Sequence, residues 1–321
     1  MTNLLDVRGL KLHYLTTRGA VHGLDDVSFS LKSGETLGVV GESGCGKTTL
    51  GTALLKMPSP PGEIIGGQIS LGGEDILKLN ENQIRKRIRW EKVAMVFQGA
   101  MNCLTPVYTI RKQMMETIIY HREMDKDQAE ERIKKYINLV GLSEDVLNRY
   151  PHELSGGMKQ RVVIAMALFL EPRIVICDEP TTALDVVVQA QIINLLKGLK
   201  KKLNLSFIFI TNDLAAEAEV SDRILVMYAG KIAEIGTNEQ IYGDEGPAHP
   251  YTRRLLAATP RLHQRVAKLD FIPGTPPDLL HPPSGCRFHL RCPEALPVCK
   301  KEVPPMQEIE PGHQVACWRC Y

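Results

Sequence analysis

TLGVVGESGCGKTTL, residues 36–50, sets a short apolar run against a glycine-rich turn and then a helical pattern. Thr36 to Val40 reads as a buried strand, and a helix is expected from Lys47. Between them GESGCGKTT, Gly41 to Thr49, fits the spacing G-x-x-x-x-G-K-[ST] in the one context where that spacing has meaning, after a strand and before a helix. The glycines let the backbone wrap so that N–H groups converge on phosphate oxygens. Lys47 adds positive charge, and the Thr48 hydroxyl can ligate magnesium. Gly41, Glu42, Ser43, Gly44, Cys45, Gly46, Lys47, Thr48 and Thr49 are therefore candidate phosphate-binding residues. The alternative is a glycine-rich turn that binds nothing.

Working outward, other short apolar runs alternate with helical patterns. VAMVFQ is one; RIVICDE is followed by a helix from Asp185, and SFIFIT by a helix near Asp213. This rhythm predicts an α/β fold with a mostly parallel sheet covered on both faces. VSFSLKSGETLGVVG and GGQISLGGEDI, with turn glycines between alternating residues, predict an added antiparallel layer near the start. From Gln98 to Leu154 the pattern turns helical, as in KDQAEERIKKYINLVGL, which reads as a helical insertion over about residues 99–160. RIVICDEP carries Asp178 to the end of a strand. There it can hold the magnesium shell, and Glu179 beside it can polarise a water toward a γ-phosphate. Two idle buried carboxylates would be costly. Phosphate loop plus acidic strand tip means a nucleoside triphosphatase.

Composition is ordinary for 321 residues: 44% apolar, 24% charged and a net charge of +2, which gives no electrostatic case for nucleic acid. No apolar run approaches the roughly 18 residues of a membrane span. MTNLLDVRGLKLHY lacks the layout of a signal peptide, so a cytoplasmic chain is expected.

LSGGMKQR, Leu154 to Arg161, decides the class. Two glycines at the start of a helix running from Gly157 toward Leu170 expose N–H groups and a positive helix end, a second place for phosphate. With one phosphate loop already present, this second anion site suits a nucleotide held by another subunit. Here the sequence resembles the ATP-binding cassette family of transporter ATPases, over nearly the whole chain up to about Gly236. The resemblance takes in Gln98 in VFQGAMN, similar to the family's Q-loop, and Ala183 to Asp185, similar to its D-loop. It also takes in Tyr14, similar to the aromatic residue that stacks on adenine, although a tyrosine near a strand also serves packing. Met158, where many members carry glutamine, is a mild departure.

The resemblance implies a head-to-tail dimer. Each ATP is sandwiched between one subunit's phosphate loop and the other's signature, here Ser155, Gly156, Gly157 and Met158. Thr48, Gln98 and Asp178 would hold Mg2+, Glu179 would be the catalytic carboxylate, and movement would pass to membrane subunits through the region of Gln98.

One position departs from the family. In FIFITND the family's T-H-D pattern becomes Thr211, Asn212, Asp213. An asparagine amide can donate a hydrogen bond but has no titratable proton and cannot carry an imidazolium charge. The expectation is slow hydrolysis at the chain's own site with ATP binding preserved. Two explanations stay open: a naturally degenerate site in an asymmetric transporter, or a substitution that traps ATP, the second slightly favoured by the intact remainder of the motif set. Asn212 or Asp213 is also expected to cap the next helix.

The last segment is rich in cysteine. GCRFHLRCPEALPVC and GHQVAC place Cys286, Cys292, Cys299 and Cys317 close in sequence, with Cys320 a spare thiol or a substitute for Cys317. With HPYTRRLLAATP and IPGTPPDLL they resemble the C-terminal extension of the oligopeptide and dipeptide importer ATPases. The expected domains are therefore residues 1–245, the ATPase, and 246–321, the extension. Four thiolates suit a [4Fe-4S] cluster, which the resemblance favours, or Zn2+. Arg287, His289 and Arg291 are expected on the surface or supporting the thiolates from outside, and Cys45 and Cys177 are expected to be inert.

The implied partners are a second, related ATPase forming a heterodimer, two membrane permeases and an extracellular substrate-binding protein, with this chain peripheral on the cytoplasmic face of the plasma membrane. Nickel and oligosaccharide importers of the same subfamily remain alternatives to peptide import. So do soluble ATPases of translation or repair and iron–sulfur scaffolds, which usually carry two cassettes or a long coiled-coil insertion.

Overall fold

A computed structural model describes residues 3–99, 102–122, 124–258 and 272–320. Ala100 and Met101 of VFQGAMN, the Thr259–Pro260 end of HPYTRRLLAATP, and Phe271 lie outside the described residues.

In chain order the elements are β1 (Leu5–Thr16), β2 (Gly19–Leu31), β3 (Thr36–Val40), α1 (Lys47–Leu54), β4 (Gly62–Leu71), β5 (Glu74–Asp75), α2 (Glu81–Arg87), β6 (Val93–Val96), α3 (Ile110–His121) and α4 (Lys126–Leu139). They continue with α5 (Gly156–Leu168), β7 (Ile174–Asp178), α6 (Val186–Leu203), β8 (Ser206–Ile210), α7 (Leu214–Val220), β9 (Arg223–Tyr228), β10 (Lys231–Thr237), α8 (Asn238–Tyr242), α9 (Pro250–Ala257), β11 (Gln307–Glu310) and β12 (His313–Val315). The chain forms two compact units, residues 1–78 with 209–321, and residues 79–208. The described residues from 246 onward fall within the first unit.

The first unit holds an antiparallel sheet in the order β2-β1-β4-β5. VSFSL in β2 and GGQISL in β4 are the strands the alternation predicts; β1, which lies between them, was not foreseen. Its residues Leu5, Val7, Leu10 and Leu12 are buried, and the register slips between Val7 and Leu12 interrupt the strict alternation that would have marked it. The second sheet of this unit runs β11-β12-β10-β9-β3-β8. All five residues of β3 are buried, and β9 pairs with it in parallel from Leu37↔Arg223 to Val40↔Val226. This continuous apolar burial is why TLGVV and SFIFI read as unbroken runs.

The C-terminal stretch attaches to this sheet. β12 pairs antiparallel with β10, and β11 with β12. Beneath them Glu234, fully buried on β10, accepts the N–H groups of Ala248 at 2.7 Å and His249 at 3.2 Å and pairs with His313 Nε2 at 2.8 Å. A buried carboxylate is tolerable only with such partners. Burial lowers the His249 pKa to about 4, so its neutral Nδ1 accepts the Tyr251 N–H at 3.0 Å and starts α9.

The second unit carries the parallel pair β6 and β7 and the helices α2 to α6. α4 shows the helical periodicity read from KDQAEERIKKYINL: Ala129, Ile133, Tyr136 and Ile137 are buried, while Asp125 caps the first turn. Among the described residues no helix is long and apolar enough to cross a membrane.

Candidate active site

In the first unit the phosphate loop has the backbone its glycines foretell. Gly41 has φ 149° and Gly46 φ 106°, where an added Cβ would come within 2.2 Å of the Met227 carbonyl and 2.6 Å of the Gly23 carbonyl. Only glycine fits such close approach. α1 begins without a side-chain cap, so its first N–H groups are left for a ligand. Lys47 is buried at 7% exposure, and its ammonium donates to the carbonyls of Gly41 at 2.7 Å and Glu42 at 3.2 Å. Thr48, Ser43 and Gly44 are exposed. The Tyr14 hydroxyl is hydrogen-bonded to Thr49 Oγ1 at 2.9 Å, and its ring packs where a Cβ on Gly23 or Gly62 would come within 2.8 or 3.0 Å. Tyr14 thus has a packing role here.

Burial raises the Cys45 thiol pKa and, in the second unit, that of Cys177, which keeps both protonated and unreactive.

Asn212 follows β8, neighbour of β3, and is exposed; the Thr211 N–H donates to the Val39 carbonyl at 3.3 Å. The capping role belongs to Asp213 alone, whose carboxylate accepts the N–H groups of Ala215 and Ala216 at 3.0 and 3.1 Å. Asn212 is therefore not the helix cap.

In the second unit Asp178 ends β7 at 1% exposure, and Glu179 follows in the left-handed region at φ 47°. A non-glycine residue held there is strained, a feature that collects at functional sites. Gln98 Nε2 donates to Glu179 Oε2 at 2.8 Å and the Thr182 hydroxyl donates to the same oxygen at 2.9 Å. Residues 81 apart in sequence, which only the family resemblance had linked, are thus in contact. Ser155 caps α5, its hydroxyl accepting the Met158 N–H at 3.3 Å, with Gly156 exposed and Gly157 half-exposed at the helix start. Asp185 caps α6 through the Val188 N–H at 2.9 Å, and Val186 and Val187 just after it are exposed, at 81% and 68%.

The thiols lie in the first unit. Cys299 and Cys317 are buried, Cys286, Cys292 and Cys320 half-buried. Burial pushes Cys286 and Cys320 up to about 11 and also raises Cys292 and Cys317, and the neighbouring cysteines add to the rise. Among the described residues no three His, Cys, Asp or Glu side chains are arranged around a single metal ion. Arg287 and Arg291 are not surface residues: they are 5% and 8% exposed. Each carries its charge to an acid of the ATPase core, Arg287 to Asp25 at 2.6 Å and Arg291 to Glu42 at 2.6 Å. Sequence reasoning missed these pairs because partners 262 and 249 residues away leave no local pattern.

Comparison with known proteins agrees with this arrangement. Residues 24–182 match the ABC transporter family model, and residues 233–299 match the model of the oligopeptide/dipeptide transporter C-terminal region. The chain is 44% identical to the oligopeptide transport ATP-binding protein OppD of Bacillus subtilis, with 99% of this chain and 89% of that protein aligned. It is 43% identical to the dipeptide transport ATP-binding protein DppD of the same organism, over 99% of this chain and 95% of that protein. Among solved structures, the ADP- and Pi-bound dimer of the ATP-binding cassette MJ0796 matches with a TM-score of 0.65 and 25% identity, covering 74% of this chain and all of that one. The chain belongs to the ATP-binding proteins of ABC transporters and carries the C-terminal region found in oligopeptide and dipeptide transporters.

Proposed function

We propose that this chain is an ATP-hydrolysing subunit of an importer of di- and oligopeptides, peripheral on the cytoplasmic face of the plasma membrane. The observation that carries the reading is full-length similarity, at 43–44% identity, to ATP-binding proteins named for oligopeptide and dipeptide transport. Its partners are two permeases, an extracellular binding protein and a second, related ATPase completing a heterodimer.

The ATP is held by Gly41 to Thr49 with Tyr14 beside the base. Thr48, Gln98 and Asp178 are the residues that would hold Mg2+ when it is bound. Glu179 orients the attacking water, supported by its contacts with Gln98 and Thr182, and Asp185 belongs to the dimer face. Ser155, Gly156, Gly157 and Met158 complete the partner's site. Asn212 makes the chain's own site slow.

The test is ATP turnover of the reconstituted importer with its binding protein. Peptides of two to five residues should stimulate turnover several-fold. Stimulation by Ni2+ or an oligosaccharide instead would reassign the cargo, and a chain that purifies without permeases would remove transport altogether.

For Cys286, Cys292, Cys299 and Cys317 we favour a [4Fe-4S] cluster over Zn2+. The support for this reading is the likeness of residues 233–299 to the C-terminal region of oligopeptide and dipeptide transporters, together with the presence of all four cysteines in one segment. Bound, the cluster would take the thiols as thiolates and cross-link segments of the extension. Anaerobically purified protein should contain about four iron atoms per chain; zinc in place of iron would reverse the assignment.

A further inference from the structure

Glu42 is the second residue of the phosphate loop and is held from outside the loop on both of its polar ends. Its backbone N–H donates to the Tyr251 hydroxyl at 2.8 Å, from α9. Its carboxylate is gripped by both terminal nitrogens of Arg291, at 2.6 and 2.9 Å. A two-point guanidinium–carboxylate pair fixes orientation as well as position. Arg291 is itself immobilised: its Nε donates to the Pro273 carbonyl at 2.8 Å, and Nη2 donates to those of Ile272 and Gly274 at 3.3 and 3.4 Å. The next residue is Cys292, and Cys286 precedes Arg291 by five positions. Pro276, Pro277 and Leu279 of the same stretch line a small cavity with Ser43 and Gly44.

From inside the loop, the Lys47 ammonium bonds to the Glu42 carbonyl. The peptide groups on both sides of Glu42 are thus fixed together by Lys47, Tyr251 and Arg291. Because the loop binds phosphate through backbone N–H groups, its affinity depends on that backbone being held in shape before the ligand arrives.

We propose that Arg291 is a positioning residue of the phosphate loop, through which the order of the cysteine segment and the affinity for Mg–ATP are coupled. This rests on reading Gly41 to Thr49 as the ATP site. Coupling between two sites is reciprocal: a cysteine segment that is disordered by thiol modification weakens ATP binding, and bound ATP steadies the segment.

The experiment compares the full-length chain with its Arg291→Ala and Arg291→Lys variants. Mg–ATP affinity is measured by equilibrium binding, KM and kcat in the assembled complex, and amide hydrogen exchange over residues 285–299 with and without Mg–ATP. In the parent, Mg–ATP should slow exchange in that segment several-fold. Arg291→Ala should weaken Mg–ATP binding and raise KM by about tenfold, with kcat changed much less, and should abolish the effect of Mg–ATP on exchange. Arg291→Lys, which keeps the charge on a single donor nitrogen, should recover part of both.

Exchange that is indifferent to saturating Mg–ATP in the parent overturns the proposal, as does an Arg291→Ala chain with parental affinity. If Arg291→Ala does not fold, as judged by circular dichroism, Glu42→Gln takes its place with the same expected signs. A parent that fails to bind Mg–ATP at all overturns the reading of the site itself, a separate and recognisable failure.

Discussion

ATP turnover at this chain's own site is expected to rise by about tenfold or more when Asn212 is replaced by histidine. Adding Glu179→Gln to that variant should then lower turnover by roughly 10²- to 10³-fold, the usual cost of losing a positioned transition-state contact. The two substitutions act on different groups. Histidine restores a side chain that can place a positive charge near developing phosphate charge, which the asparagine amide cannot do. Glutamine at 179 keeps the size of the side chain and its contact with Gln98, 2.8 Å in the parent, but has no basic oxygen to draw a proton from water. ATP binding should survive both changes, because the phosphate loop is untouched. Single-turnover hydrolysis in the assembled complex, at matched ATP occupancy, measures each step. An Asn212→His complex no faster than the parent would mean that turnover belongs to the partner's site and that this chain holds ATP as a structural element.

The second large effect concerns stability. Glu217, on α7, has no exposed surface, and its carboxylate accepts a hydrogen bond from Tyr242 at 2.5 Å. It lies against β3 so closely that a Cβ on Gly38 would meet it at 1.7 Å. Burial raises its pKa from 4.5 to about 7. The folded chain therefore binds this proton more tightly than the unfolded chain does. The resulting stability is fully present below about pH 4.5 and is lost as pH rises through about 7. Over that shift the loss amounts to about 3 kcal/mol. Glu217→Gln, which keeps the partner Tyr242 and carries no charge, should be more stable than the parent by about 2–3 kcal/mol at pH 8 and nearly equal to it at pH 4.5. Urea midpoints of both chains at the two pH values measure the difference. A gap that does not grow between pH 4.5 and 8 would show that Glu217 titrates normally.

The strand, loop and helix settings of the short motifs were legible because each is local. GESGCGKTT, RIVICDE and LSGGMKQR each span fewer than ten residues and join a strand or helix to the backbone geometry its chemistry needs. The departure at Asn212 from the family's T-H-D pattern stands out for the same reason, within a short pattern. What sequence could not show is long-range pairing. β1 escaped because its bulges break the alternation, and β11 and β12 because strands of four and three residues carry almost no periodicity. Arg287 and Arg291 were expected on the surface, where arginine usually lies, or supporting the thiolates; their acids come from the opposite end of the chain. Glu217 reads as an ordinary polar position of a short helix, and only its packing against Gly38 shows it to be buried.

The attachment of β12 to β10 has a consequence for solubility. Ile232 to Gly236 are buried, and without β12 this strand would border solvent with unpaired peptide groups beside Ile232, Ala233 and Ile235. An apolar strand left open in this way is a template for the strand of another molecule. The outermost strand instead is β11, four residues long, with Gln307, Glu308 and Glu310 facing water. Short length and charge are what keep such borders from pairing with one another. A chain shortened before residue 307 would keep its phosphate loop and motifs, yet offer β10 to its neighbours and aggregate.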